Sequence, residues 1–269
     1  MLVCGKFRFD FSRPLIMGIV NVTPDSFSDG GRDSQAAIGH ALRLAEAGAD
    51  ILDVGGESTR PGSEPVPVEI ERARILPVIE ALARENLPVS VDTMKPEVMK
   101  DAISAGASMI NDVTALQSGD CAFLAESDVA VCLMHMQGEP RSMQDAPRYG
   151  DVVDEVDAFL AERIRAAIDS GIQRARLVID PGFGFGKTLA QNMALLRHLD
   201  RFSAHGVPIL AGLSRKSMLG ALTGRPVGER GHASVAASLL ALERGADIVR
   251  VHDVAAMRDA VTILNALRG

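Results

Sequence analysis

Ala47-Gly48-Ala49-Asp50-Ile51-Leu52 recurs in outline at Ala105-Gly106-Ala107-Ser108-Met109-Ile110 and at Arg244-Gly245-Ala246-Asp247-Ile248-Val249. Each copy closes a helix-length amphipathic stretch and opens a short apolar run. Glycine accepts the left-handed backbone that stops a helix, so each copy predicts a helix end turned tightly into a strand. Outward from these junctions the same alternation fills the chain. Apolar runs lie at Leu15–Val20, Ile51–Val54, Val89–Val91, Ser108–Ile110, Val129–Met134, Leu177–Ile179, Pro208–Leu213 and Asp247–Val251. Helical stretches separate them at Ser34–Ala47, Val68–Glu85, Pro96–Ala105, Val152–Ser170, Leu189–Ala204, Ala233–Arg244 and Ala255–Leu267, with a weaker one near Cys121–Ser127. Strands alternating with helices imply a parallel sheet, because parallel neighbours need crossover connections. Runs this continuously apolar imply burial on both faces. Spread over eight units, the 269 residues give about 34 per unit, which suits an α/β fold of the (β/α)8 TIM barrel type. We expect residues 1–269 to form a single domain of this kind, with a doubly wound open sheet as the alternative.

Composition narrows the function classes. Hydrophobic residues make up 47% and charged residues 23%, ordinary for a globular chain. No apolar run reaches the roughly 18 residues of a membrane span. Lys6, Arg8, Asp10 and Arg13 interrupt the N-terminal apolar stretch, which therefore does not read as a signal peptide. The net charge of −7, with cations scattered among the acids, leaves no basic stripe for nucleic acid. Three cysteines without metal-ligand spacing (Cys4, Cys121, Cys132) suggest inert thiols in a reducing compartment, the cytoplasm.

The residues at the end of each run carry the chemistry. The runs meet, in order, Asn21, Gly55-Gly56-Glu57-Ser58-Thr59-Arg60, Asp92, Asn111-Asp112, His135, Asp180, Ser214-Arg215-Lys216 and His252-Asp253, with Arg250 two residues before His252. In a barrel the C-terminal strand ends converge on one face, where active sites sit. One polar strand end is as well explained by a turn or cap; eight in succession are better explained by a site. Segments 23–31 and 55–63 are longer than ordinary βα connections and read as binding loops. Arg60 has a solvated surface role as its alternative.

Gly182-Phe183-Gly184-Phe185-Gly186-Lys187-Thr188 invites a phosphate-loop reading, but the first glycine of that template falls on Pro181. The glycines instead allow close backbone approach to a ligand, with Phe183 or Phe185 free to stack on a flat ring. Asp92, Asn111 and Asp180 suit a heterocycle with a guanidine-like edge, since a carboxylate accepts paired N–H groups and an amide both donates and accepts. A divalent-metal site of three carboxylates competes with that reading. Arg60, Lys216, Arg250 and His252, in a net-acidic chain, suggest an anionic ligand such as phosphate. Asn21 offers one oxygen to Mg²⁺, and His135 lacks the spaced partners of a zinc site.

Together these segments resemble the dihydropteroate synthase family. The resemblance is carried by residues 15–31, 51–62, 91–93, 110–113, 131–138, 180–187, 213–220 and 250–254, in the family's order from about residue 10 onward. Met94 and residues 230–233 follow the pattern less closely. The resemblance implies condensation of 6-hydroxymethyl-7,8-dihydropterin diphosphate with 4-aminobenzoate to 7,8-dihydropteroate, releasing diphosphate. It implies that Asp92, Asn111 and Asp180 hold the pterin edge and that Lys216 faces its carbonyl side. Met134, Phe185 and Gly212 would line the ring, and Arg250, His252 and Thr59 would bind diphosphate with Mg²⁺ on Asn21. Arg60, Pro61, Phe185 and Ser217 would shape the aminobenzoate pocket, making Asp92, Asp180, Lys216 and Arg60 the catalytic set. It further implies a homodimer built from barrel helices. A pterin-binding methyl-transfer module and a non-catalytic paralogue are the alternatives.

Overall fold

The computed structural model describes residues 1–22, 34–58, 63–139 and 141–269 in full and residues 30–33 as backbone. The junction glycines behave as the sequence predicts, with φ of 100° at Gly48, 106° at Gly106 and 95° at Gly245. An antiparallel hairpin, β1 (Leu2–Cys4) and β2 (Phe7–Phe9), opens the chain. Eight parallel strands come next: β3 (Leu15–Asn21), β4 (Ile51–Gly55), β5 (Val89–Asp92), β6 (Met109–Asp112), β7 (Ala130–Met134), β8 (Leu177–Asp180), β9 (Leu210–Ala211) and β10 (Ile248–Val251). Their spatial order is β8-β7-β6-β5-β4-β3-β10-β9, and a parallel bridge from Ile179 to Ile209 joins the two ends into a barrel. The helices are α1 (Gly30–Glu46), α2 (Val68–Arg84), α3 (Pro96–Ser104), α4 (Val152–Asp169), α5 (Leu189–Arg197), α6 (Ser217–Thr223), α7 (Gly231–Glu243) and α8 (Val254–Arg268).

Three elements differ from expectation, each for a local reason. The run Pro208–Leu213 yields only the two-residue β9. Pro208 has no N–H to give the ladder, and the Ile209 N–H goes to the Asp247 carboxylate at 2.8 Å. The stretch Leu189–Ala204 breaks into α5 and a 3₁₀ segment at Leu199–His205. Its buried Leu196, Leu199 and Phe202 recur every three residues, the period of a 3₁₀ helix. The weak stretch near Cys121–Ser127 is a 3₁₀ turn at Ala122–Leu124.

Strand parity separates two apolar cores. Outward residues such as Ile16, Leu52, Val91, Ile110, Leu133 and Ile179 pack against the helices. Inward residues Leu15, Met17, Ile51, Met109, Cys132, Val178, Leu210 and Ile248 fill the barrel, and Leu2 and Cys4 of the hairpin join them. The hairpin is fixed by the Gly5 N–H on the Asp128 carbonyl at 2.9 Å and by Cys4 Sγ on the Ser108 carbonyl at 3.2 Å. The N-terminal end of the barrel is therefore plugged with side chains, and polar chemistry is left to the opposite mouth.

Caps set where the helices around that mouth begin. Thr188 and Gln191 form a reciprocal capping box that starts α5 directly after the glycine-rich segment. Asp151 accepts from the N–H groups of Val153 and Asp154 at the start of α4, satisfying donors that the helix itself leaves unpaired. Replacing Asp151 by Ala is expected to cost about 1 kcal/mol. By thermal denaturation that is a drop of roughly 2–4 °C in Tm with kinetics unchanged.

Candidate active site

Period-two alternation decides which side chains enter the open mouth. Ile51 belongs to the inner core, so Asp53 and Gly55 share its side of β4. By the same parity Asn111 follows Met109, Met134 follows Cys132, Asp180 follows Val178, Gly212 follows Leu210, and Arg250 and His252 follow Ile248. Residues spread over some 200 positions of sequence thus meet inside one ring of strands.

The centre is a charged fork. Arg250 Nε donates to Asp53 Oδ2 at 2.6 Å and its Nη2 donates to Asp92 Oδ2 at 2.8 Å. Asn111 Nδ2 donates to the same Asp53 oxygen at 3.3 Å. Asp53 Oδ1 and Asp92 Oδ1 are buried without a hydrogen-bond partner among the described residues. Burial pushes the Asp92 carboxyl up to about 7; Arg250 opposes the rise, while Asp53, Glu71 and Asp112 add to it. Burial works to lower the Arg250 pKa, but Asp53 and Asp92 outweigh it and keep the guanidinium charged.

A second half faces the fork across Gly212. A Cβ at Gly212 would lie 3.7 Å from Lys216 Nζ, 3.9 Å from Arg250 Cβ and 3.9 Å from Asp180 Oδ2. Lys216 donates to the Phe183 carbonyl and sits over the Phe185 ring, 4.7 Å from its centroid. Burial brings its ammonium down to about 8, against the attraction of Asp180. Asp180 accepts the Gly182 N–H at 2.7 Å, and burial raises its pKa against Lys216 and that amide. A flat heterocycle with N–H donors on one edge and a carbonyl on the other matches this distribution of acceptors and cation.

The glycine-rich segment that carries Phe185 is held from behind. Lys187, 3% exposed, donates to the carbonyls of Gly182 and Phe185 at 2.9 Å each and contacts His135 Nδ1 at 2.9 Å. Burial and the Lys187 charge drop His135 to about 3, so it is a neutral acceptor and not a proton carrier. Tyr149 Oη donates to the Gly186 carbonyl at 2.9 Å. Burial lowers the Lys187 pKa well below the ordinary lysine value, so Lys187 serves as a structural donor to carbonyls, consistent with rejection of the phosphate-loop reading.

Of the residues singled out by sequence, Asp92, Asn111, Asp180, Gly212, Lys216 and Arg250 form this connected set, with Phe185 against Lys216. Met134 lies beside Asp180 in the β7–β8 register. His252 Nδ1 pairs with Ser214 Oγ at 2.9 Å. Ser217 begins α6 exposed, with no side-chain bond into the set among the described residues. Asn21 ends β3 opposite Gly55. Thr59, Arg60, Pro61 and most of segment 23–31 lie outside the described residues. The three-carboxylate metal alternative does not form: Asp92 is tied to Arg250 and Asp180 faces Lys216. Among the described residues no group of three or more His, Cys, Asp or Glu is arranged to hold a metal.

Sequence reasoning missed Asp53 and the ion cluster of Glu57, Glu71 and Lys95. Lys95 Nζ lies 2.5 Å from both Glu57 and Glu71 and donates to the Val66 carbonyl at 2.7 Å. Asp53 had a legible signal, a lone carboxylate inside an apolar strand, which burial makes expensive without a partner. The Lys95 cluster had none, because its members come from three separate elements.

The chain matches the family described as pterin binding enzyme over residues 17–252. It is 50% identical to a dihydropteroate synthase of Neisseria meningitidis serogroup C over 271 residues, covering 98% of this chain and 96% of that protein. Among solved structures, Xanthomonas albilineans dihydropteroate synthase with 4-aminobenzoic acid is 57% identical with a TM-score of 0.91, covering 96% of this chain and 94% of that one. Burkholderia cenocepacia dihydropteroate synthase complexed with 7,8-dihydropteroate is 49% identical with a TM-score of 0.92, covering 99% and 96%.

Proposed function

The chain belongs to the pterin-binding enzymes, among the dihydropteroate synthases, and from that premise we propose how its barrel mouth divides the work. The reaction condenses 6-hydroxymethyl-7,8-dihydropterin diphosphate with 4-aminobenzoate, giving 7,8-dihydropteroate and diphosphate. The observation that carries the assignment is the meeting of Asp180, Lys216 and Arg250 over Gly212, where a flat ring can lie against bare backbone. Asp92, Asn111 and Asp180 take the N–H groups of the pterin's guanidine-like edge. Lys216 donates to its carbonyl, and Met134 and Phe185 supply apolar contact.

The arylamine is a weak nucleophile, so the C–O bond to diphosphate loosens first and the pterin ring delocalises the cation that develops on the methylene. Asp92 and Asp180 stabilise that cation electrostatically, from fixed positions that need no reorganisation. Arg250 Nη1, which makes no hydrogen bond among the described residues, and His252 stabilise the departing diphosphate. Thr59, Arg60, Pro61 and Ser217 are assigned by the family resemblance to the diphosphate and aminobenzoate ends.

The site also fits Mg²⁺. No hydrogen bond among the described residues engages the Asn21 side chain, and one neutral oxygen suits an ion that keeps its waters and shares substrate phosphates. When bound there, Mg²⁺ would neutralise charge on the leaving diphosphate. Exposed Leu222, Val227, Leu240, Ile263 and Leu267, on and around α6, α7 and α8, support a homodimer. The three cysteines, Cys4, Cys121 and Cys132, are free thiols, which supports a reducing, cytoplasmic setting. No helix among the described residues is long and apolar enough to cross a membrane.

The test is diphosphate release with and without 4-aminobenzoate. Release that requires the amine supports the assignment, whereas release without it, or none, overturns it. Lys216→Ala removes a charge-assisted bond and is expected to lower kcat/KM for the pterin substrate about 10–100-fold.

A further inference from the structure

We propose that Asp53 is a positioning residue of the reaction: it fixes the direction of the Asn111 amide and the edge of Arg250 that faces away from substrate. Asp53 lies in the interior of β4, paired in register with Ile19 and Ser90, and is completely buried. Lying at the floor of the mouth, it acts through two residues placed in the pterin pocket, and so rests on that assignment.

An ionised carboxylate only accepts hydrogen bonds. The Asn111 group at 3.3 Å from Asp53 Oδ2 is therefore the NH₂ group, and the carbonyl Oδ1 is turned away from Asp53. With Asp92 and Asp180 also acceptors, Asn111 completes a set of oxygens that reads only donors on the bound ring. A neutral amide at position 53 accepts or donates, so Asn111 loses its preference and the pocket loses that polarity. The same oxygen holds Arg250 Nε at 2.6 Å while Asp92 holds Nη2 at 2.8 Å. One edge of the guanidinium is clamped, and Nη1 is presented in a set direction.

Asp53 also adds to the rise of the Asp92 pKa, after burial and against Arg250. The groups acting on Asp92 are Arg250 from β10, Asp53 from β4, Glu71 from α2, Asp112 from β6 and Lys216 beyond β9. Removing the Asp53 charge removes one of the anions that favour the protonated form of Asp92 and frees Arg250 to pair with it more fully.

The test is Asp53→Asn, compared with Asn111→Ala and the double variant. In Asp53→Asn, kcat/KM for the pterin diphosphate is expected to fall about tenfold or more, as for a lost charged hydrogen bond, with KM for 4-aminobenzoate little changed. The acid limb of its pH profile moves to lower pH by about half a unit or more, a readout that loosened packing would not shift in that direction. The double variant loses less than the product of the single losses, because the two residues act through one contact. If Asn111→Ala impairs pterin use and a folded Asp53→Asn does not, the role of Asp53 is overturned. If Asn111→Ala is itself silent, the pocket assignment has failed instead. Should Asp53→Asn not fold, the unaltered protein decides: the Asn111 side-chain NH₂ must exchange slowly with solvent before ligand is added, and fast exchange overturns the proposal.

Discussion

Asp92→Asn is expected to lower kcat about 100–1000-fold, the scale of removing a preorganised group that opposes developing charge. Diphosphate affinity, measured by calorimetry, should change by less than about threefold, since loss of a group acting mainly in the transition state shows in kcat. Asn keeps the shape and one acceptor oxygen of Asp92 but not the charge that faces the methylene cation. Arg250 keeps its 2.6 Å bond to Asp53, so the fork survives. Turnover near that of the unaltered protein, or a parallel fall in diphosphate binding, would remove Asp92 from the cation-stabilising role.

The same substitution separates function from stability through pH. The Asp92 pKa is about 7 in the fold against an ordinary value of 3.8, chiefly because burial disfavours the charge. A group whose pKa is raised on folding contributes stability below its unfolded value and loses it as pH climbs through the folded value. Between pH 4 and 8 Asp92 therefore weakens the fold progressively, and Asn at this position does not. The Tm of Asp92→Asn relative to the unaltered protein should therefore rise from pH 4 to pH 8. An inactive variant whose relative stability climbs with pH is the mark of a charge retained for catalysis.

Gly182→Ala carries the largest expected structural effect. A Cβ there would stand 1.8 Å from the His135 carbonyl oxygen, and the backbone φ is +70°. Neither the strand end at His135 nor the segment over Lys187 can give way, because Lys187 binds the carbonyls of Gly182 and Phe185 together. The cost is about 4 kcal/mol or more, typical of the severe end of single substitutions. That corresponds to a Tm loss of roughly 10 °C. Activity falls with it, since the Gly182 N–H anchors Asp180 and the segment carries Phe185. Gly224→Ala is the matched control, with φ of +71° but no atom of the described residues within 4 Å of the added carbon, so only backbone strain of about 1 kcal/mol applies. Equal melting of the two variants would show that the clash is relieved by a movement not evident in the structure.

Much of the site was legible because barrel geometry turns strand ends into neighbours. Asp92, Asn111, Asp180 and Lys216 each come after an apolar run, so convergence was implied once eight parallel strands were inferred. Arg250 was legible as a cation but not as the partner of two acids. Asp53 was passed over because it lies inside a run whose local pattern is apolar. The hairpin at Leu2–Phe9 was missed for a related reason: it is held by contacts to Ser108 and Asp128, which no local pattern reveals.

The order of strands and helices, the glycine turns between them and the polar character of the barrel mouth were written locally, in periods of two and 3.6 residues and in single punctuating residues. The tertiary structure alone decided which charges pair. Arg250 meets Asp53 across 197 residues of chain, through a closure whose stagger no local pattern encodes. Pairing of buried charges depends on distances of a few ångströms in a medium of low dielectric, and those distances exist only after the sheet has closed on itself.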